Sequence, residues 1–274
     1  MTDGSASPTG PREGRPRLLT LEQSLSLLAS PDTGAPLQQS AGELRSADGA
    51  ERFPVRGAVP LLFPARLQPY LGRDLVDVPF NCYDDALIQY ALINSIKQKH
   101  GNHNSDHAAV WYQHHRERTR RLVADARGLV LDVGCDVPAT SASVFPDGVD
   151  YLGLDPLFGD DAHFRLIGLA ERLPVQSASV DNVCLLTSLD HVLDHHAALD
   201  EAHRVLRPGG RLYLASLVWR ERAELYHDHV HFHHFREFEL FGALARFVLD
   251  TVARYTWKDD THRTALYLAL TKAA

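Results

Sequence analysis

The chain has 274 residues, 45% of them apolar and 23% charged, with a formal net charge of −7. That length is comfortable for one large domain plus a small one, with apolar matter enough for a real core. The acidic balance makes a nucleic-acid acceptor an unfavoured partner, because phosphate binding rests on clustered Lys and Arg. No run approaches the ~20 apolar residues that a bilayer span requires. The opening "MTDGSASPTGPREGRPRLL" lacks the continuous apolar core of a signal peptide. Cys82, Cys135 and Cys184 are scattered, without a CxxC spacing, which points to a reducing compartment and a cytoplasmic protein.

In chain order, residues 1–17 are rich in Gly, Pro, Ser and Arg and read as a disordered tail. Residues 18–64 form a small module. Leu25, Leu27 and Leu28 close a short helix that Pro31 stops, and short strands follow around Glu43–Arg45, Arg52–Val55 and Val59–Phe63. Residues 65–127 read as a helical cap. One helix opens on Asp84 and places Ile88, Leu92 and Ile96 at helical spacing. A second runs through Trp111 and Tyr112 to Gly128. Its basic stretch "HHRERTRRLVADAR" is read as a solvated face.

From Leu129 onward apolar runs alternate with helical patterns, the sign of a parallel α/β sheet. "LVLDVGC" enters a tight turn, "DYLGLDP" ends in Asp155, and "FRLIGLAERLP" is a third strand with its loop. "VDNVCLLTS" is a fourth, and "RLYLASLVW" is a fifth. The helix between the last two carries Leu199, Ala202, Val205 and Leu206 on one side, and Pro208, Gly209 and Gly210 end it. Such a sheet binds ligand at the carboxyl ends of its strands. A nicotinamide fingerprint needs G-x-G-x-x-G in the first turn, and "GCDVPA" keeps only the first glycine.

Acidic-x-Gly turn, acid-ended second strand, "AERLP" and "RVLRPGG" together resemble the class I S-adenosylmethionine-dependent methyltransferases, over residues 128–274. The resemblance implies a Rossmann-like seven-stranded sheet and S-adenosylmethionine as cofactor. It places Asp132, Gly134 and Cys135 in the first turn, and Asp155 and Pro156 on the ribose. Ala170 and Glu171 fall on the adenine side, and Thr187 and Ser188 beneath the methyl group. His191, in "SLDHVLD", is the candidate base or orienting donor for catalysis. Asp136 and Pro138 depart from the pattern, since both stand where the family often has glycine.

The small module resembles the zinc-ribbon-like methyltransferase-activator domain through "FPVRGAVPLL". There a CPxC turn supplies metal ligands; here "SPDT" puts Ser30 and Thr33 in their place, so no metal is expected. The run "YHDHVHFHHF" sets His227, His229, His231 and His233 on one face of an extended segment. No Asp/Glu–His pattern fixes a metal geometry in it, so it reads as a substrate-side lid with His231 or His234 reaching the pocket. The expected activity is O- or N-methylation of a small-molecule acceptor, with a homodimer left open. The rival reading is a non-catalytic methyltransferase-like binding or scaffold protein.

Overall fold

The computed structural model describes residues 15–71, 110–157, 164–220, 231–257 and 260–273. The predicted helix from Asp84, together with Cys82, His227 and His229, lies outside them. Arg17–Leu18 (β1) precedes a single helical turn, Leu21–Ser24 (α1), and four short strands follow: Leu37–Ser40 (β2), Glu43–Ser46 (β3), Arg52–Arg56 (β4) and Val59–Pro60 (β5). Val110–Leu122 (α2) leads into Leu129–Val133 (β6), Pro138–Ala142 (α3), Asp150–Asp155 (β7), Leu166–Ile167 (β8) and Val180–Leu186 (β9). His195–Val205 (α4), Leu206–Trp219 (β10), Glu237–Ala243 (α5), Phe247–Trp257 (β11) and Asp260–Lys272 (β12) complete the chain.

The expected seven strands form one mixed sheet in the order β8-β7-β6-β9-β10-β12-β11, parallel from β8 to β10 and antiparallel at β12 and β11. All five residues of β6 are buried, as a strand covered on both faces requires. The third predicted strand shrinks to two residues. Within β7, β8 pairs with Leu154 and Asp155, and β1 takes the place beside Asp150 and Tyr151, giving an eighth strand. Arg17, which the sequence reading left at the end of the tail, is fixed there by a side-chain pair to Asp150 at 2.7 Å.

Helix α4 starts on Asp194, whose carboxylate accepts the Ala197 N–H at 3.0 Å, and it buries Ala198, Leu199, Ala202 and Val205. It ends before the glycines do. Leu206 is already extended against Val180, and Pro208, Gly209 and Gly210 form the irregularity between Leu206 and Arg211 at the start of β10. Helix α2 is no cap either. It packs on the sheet's face, with His115 Nδ1 2.8 Å from the Tyr267 hydroxyl, because Val123 and Ala126 just beyond it share a core with Val130 and Tyr151.

Of the cap expected at 65–127, residues 72–109 lie outside the described residues. The small module expected at 18–64 is an antiparallel sheet in the order β2-β3-β4-β5. It has no core of its own. Leu28, Leu37, Leu44, Phe53 and Leu62 belong to the same buried cluster as Leu152, Leu154 and Leu166. Leu62 N–H donates to the Ile167 carbonyl at 2.7 Å, and Ala29 N–H to the Pro174 carbonyl at 3.1 Å. The "SPDT" turn is closed by a carboxylate: Ser30 and Thr33 hydroxyls donate to the two oxygens of Glu51 at 2.7 and 2.8 Å. Among the described residues, no helix is long and apolar enough to cross a membrane.

Candidate active site at the ends of β6, β7 and β9

The first turn is held by backbone. Gly134 and Cys135 N–H both donate to the Leu154 carbonyl, at 2.8 and 3.1 Å. Gly134 sits at φ +88, and a Cβ there would stand 2.4 Å from Ser188 Cβ, so glycine is required twice over. Ser188 in turn donates its hydroxyl to the Val133 carbonyl at 2.6 Å, which locks the turn after β6 to the loop after β9. The Cys135 side chain is buried in the core, leaving its backbone to the turn.

The two departures from glycine have local reasons. Asp136 takes the left-handed conformation itself, at φ +49, which Asp tolerates better than most residues. Pro138 opens helix α3, where its fixed φ suits the first helical position. The Asp136 N–H donates to one oxygen of Asp155 at 2.9 Å, and Leu157 N–H to the other at 2.8 Å. Burial nevertheless pushes the Asp155 carboxyl up to about 6, against the pull of those two bonds. Arg165, buried and unnoticed in the sequence, donates to the carbonyls of Asp136 and Leu157 at 3.1 and 3.4 Å. Pro156 lies half-buried between those contacts.

Asp132 sits deeper. The Tyr151 hydroxyl donates to it at 2.5 Å, and burial pushes its carboxyl up to about 7. Ala170 is buried, and Glu171 faces the β9 loop, accepting the N–H groups of Leu193 and Asp194 at 2.8 and 3.3 Å. Thr187 holds φ +64, an outlier for a β-branched residue, while its N–H donates to the Ala215 carbonyl at 2.8 Å.

Beyond Ser188 the chain makes a single tight turn, Leu189–His191, and meets the histidine segment. Phe232 and His233 N–H both donate to the Asp190 carbonyl, at 2.9 and 3.1 Å. This brings the His191 and His231 rings to 4.5 Å between centroids. The Asp190 carboxylate lies near both, with Oδ1 4.0 Å from His191 Nε2 and Oδ2 3.7 Å from His231 Nε2. His234 stands apart, its ring 6.2 Å from that of His231 and edge-on to Trp219 at 4.9 Å. Asp190 was missed by the sequence reading, which looked for acids inside the 227–234 run rather than beside His191. A cleft of about 710 Å³ lies farther along the sheet, between β10, β11 and α5, and is lined in part by Trp219, the residue that His234 meets.

Residues 131–214 match the methyltransferase domain family. A demethylmenaquinone methyltransferase of Beutenbergia cavernae is 36% identical over 159 residues, covering 53% of this chain and 60% of that one. An uncharacterized methyltransferase of Mycobacterium tuberculosis is 34% identical over 111 residues, covering 38% of this chain and 44% of that one. The chain thus spans about half the length of these curated relatives. Among solved structures, the 1,6-didemethyltoxoflavin-N1-methyltransferase of Burkholderia thailandensis superposes with a TM-score of 0.52 at 17% identity, over 68% of this chain and 89% of that one. The [4+2]-cyclase SpnF does so with 0.51 at 18% identity, over 68% and 92%. The large sheet has a methyltransferase fold. The activator-module resemblance of the N-terminal sheet gains no support from the family match, which begins at residue 131.

Proposed function

We propose that the protein is an S-adenosylmethionine-dependent methyltransferase that modifies oxygen or nitrogen of a small molecule. One observation supports this most. A glycine turn and a buried, strand-ending carboxylate face each other at the carboxyl ends of β6 and β7, inside the matched segment. The cofactor, when bound, supplies a methyl group already activated on a sulfonium.

The residues fit that group. Gly134 lets the backbone approach its amino-acid end, where a Cβ would intrude. Each Asp155 oxygen keeps a lone pair beyond its backbone partner, enough to accept two ribose hydroxyls. Asp132, held by Tyr151, supports the turn from beneath. Ala170 and Glu171 bound the adenine side, with Glu171 tying that loop to the one after β9. Thr187 and Ser188 underlie the methyl position. His191 and His231 hold the acceptor side, where alignment and proton removal are the protein's remaining tasks. The acidic net charge favours a small acceptor over nucleic acid.

Calorimetric titration with S-adenosylmethionine and S-adenosylhomocysteine is the direct test. Asp155→Ala should weaken binding by about 1.5–3 kcal/mol, the scale of a hydrogen bond to a charged group. Unchanged affinity in the folded variant removes Asp155 from the cofactor site. A second reading, a non-catalytic binding protein on the same fold, draws on the Asp136 N–H already seated on Asp155. It gains if both cofactor forms bind and a broad acceptor screen yields no methylated product.

A further inference from the structure

We propose that Asp190, His191 and His231 form a site for a divalent transition metal whose open positions take an oxygen of the acceptor. The second half rests on the methyltransferase reading; the first half does not. Two ring nitrogens and one carboxylate oxygen, from residues 190, 191 and 231, lie within 4.8 Å of one another. Metal–nitrogen and metal–oxygen bonds of ~2.0–2.2 Å set donor atoms of one coordination sphere roughly 3.3 Å apart. The three donor atoms, one from each residue and all within 4.8 Å of one another, therefore need to close by no more than about 1.5 Å.

The backbone has already made the juxtaposition. Asp190 clamps Phe232 and His233 through its carbonyl, which delivers His231 to the carboxylate from far along the chain. The carboxylate itself is an independent sign. Its side chain is 5% exposed, and its Oδ1 has no hydrogen-bond donor among the described residues. A buried carboxylate is costly unless a cation or donors answer it. The two imidazoles that flank it stand beyond hydrogen-bonding distance, at a spacing that leaves room for an ion between.

The donor set selects the ion. Two imidazoles with one carboxylate suit zinc, iron or cobalt rather than magnesium or calcium, and three protein ligands leave a position open for substrate. The site follows Ser188 by two residues, and Ser188 packs against the Gly134 turn, so the open position lies at the cofactor end of the sheet. A metal there lowers the pKa of a bound hydroxyl, which points to acceptors bearing a phenol, an enol or a chelating hydroxyl pair. His191 is then a ligand, and the metal takes over the role of activating the acceptor.

The full-length protein, stripped with chelator, is titrated with Zn²⁺ by calorimetry and with Co²⁺ by visible absorption at pH 7.5, with Mg²⁺ as control. One equivalent of Zn²⁺ and of Co²⁺ should bind, and Mg²⁺ should not compete. Asp190→Asn and His231→Gln should each weaken Zn²⁺ at least tenfold while circular dichroism stays unchanged. Acetohydroxamate, a bidentate oxygen donor, should shift the Co²⁺ bands of the wild type. Absence of stoichiometric Zn²⁺ and Co²⁺ in the wild type overturns the site, whatever the variants do. So does undiminished binding in both variants, which places the ion on other histidines. Unmoved Co²⁺ bands overturn the open position. S-adenosylhomocysteine binding without Zn²⁺ defeats the metal alone, and Zn²⁺ binding without S-adenosylhomocysteine defeats the methyltransferase reading and leaves the metal standing.

Discussion

Two loops leave the same end of the sheet, and they are finished to different degrees. After β6, the acids and the turn carbonyls are answered within the fold: Asp155 by two N–H groups, Asp132 by Tyr151, and the carbonyls of Asp136 and Leu157 by Arg165. After β9, Thr187 holds a left-handed backbone that its branched Cβ resists, and Asp190 keeps a buried oxygen that no described group donates to. The first loop is a shape completed on folding, into which a ligand fits. The second retains strain and unanswered charge, which native chains keep where a ligand or a reaction supplies the compensation.

The comparison breaks first at the contact between the two loops. Gly134→Ala puts a Cβ at a forbidden φ and against Ser188 at once, and should cost about 3 kcal/mol in urea unfolding. Adding Ser188→Gly should restore only the steric share, because the backbone strain remains. Full restoration would mean that packing alone demands this glycine.

The finished loop makes a pH-dependent prediction. Burial raises the Asp132 carboxyl to about 7, above the ~3.9 of an unfolded aspartate. The folded state therefore holds the proton more tightly. Its stabilising share is complete below about pH 4 and is lost as pH rises through 7. Asp132→Asn keeps an acceptor for Tyr151 and escapes that loss, so it should gain on the wild type between pH 5 and 8, by on the order of 1–3 kcal/mol. Melting temperatures of both proteins across that range decide it; a constant gap means that Asp132 ionises without penalty.

The smallest effect sharpens the contrast. Thr187→Gly should stabilise the fold by about 1 kcal/mol, since it releases left-handed strain but adds unfolded-state entropy. Turnover should fall in the same variant, because a loosened loop no longer fixes the groups beyond it. A variant more stable and equally active would show the strain to be incidental.

The acids at the strand ends were legible because apolar runs that stop on Asp132 and Asp155 mark buried strands emerging at one edge. The short strands at 43–46 and 52–56 were legible for a different reason, the turn glycines Gly49 and Gly57 that bound them. The companionship of Asp190 and His231 was not. It depends on backbone bonds from Asp190 to Phe232 and His233, which no local periodicity encodes. Arg165 escaped notice because one basic residue before an apolar pair looks like a surface charge until both flanking loops close over it. The cap was misread over 110–127 because a helix with a basic outer face resembles a free one; its buried face is carried by Tyr112, Thr119, Val123 and Ala126.

The pairing of β1 with β7 has a consequence for the order of assembly. Arg17 finds Asp150 across 133 residues of sequence, and Leu62 must wait for Ile167. At a synthesis rate of ~5–20 residues per second, roughly 7–27 s pass after Arg17 is made before its partner exists. During that interval Leu28, Leu37, Leu44 and Phe53 have no core to join. The N-terminal sheet is therefore translated well before the strands that stabilise it, so nascent chains halted before residue 150 should be the ones that need a chaperone.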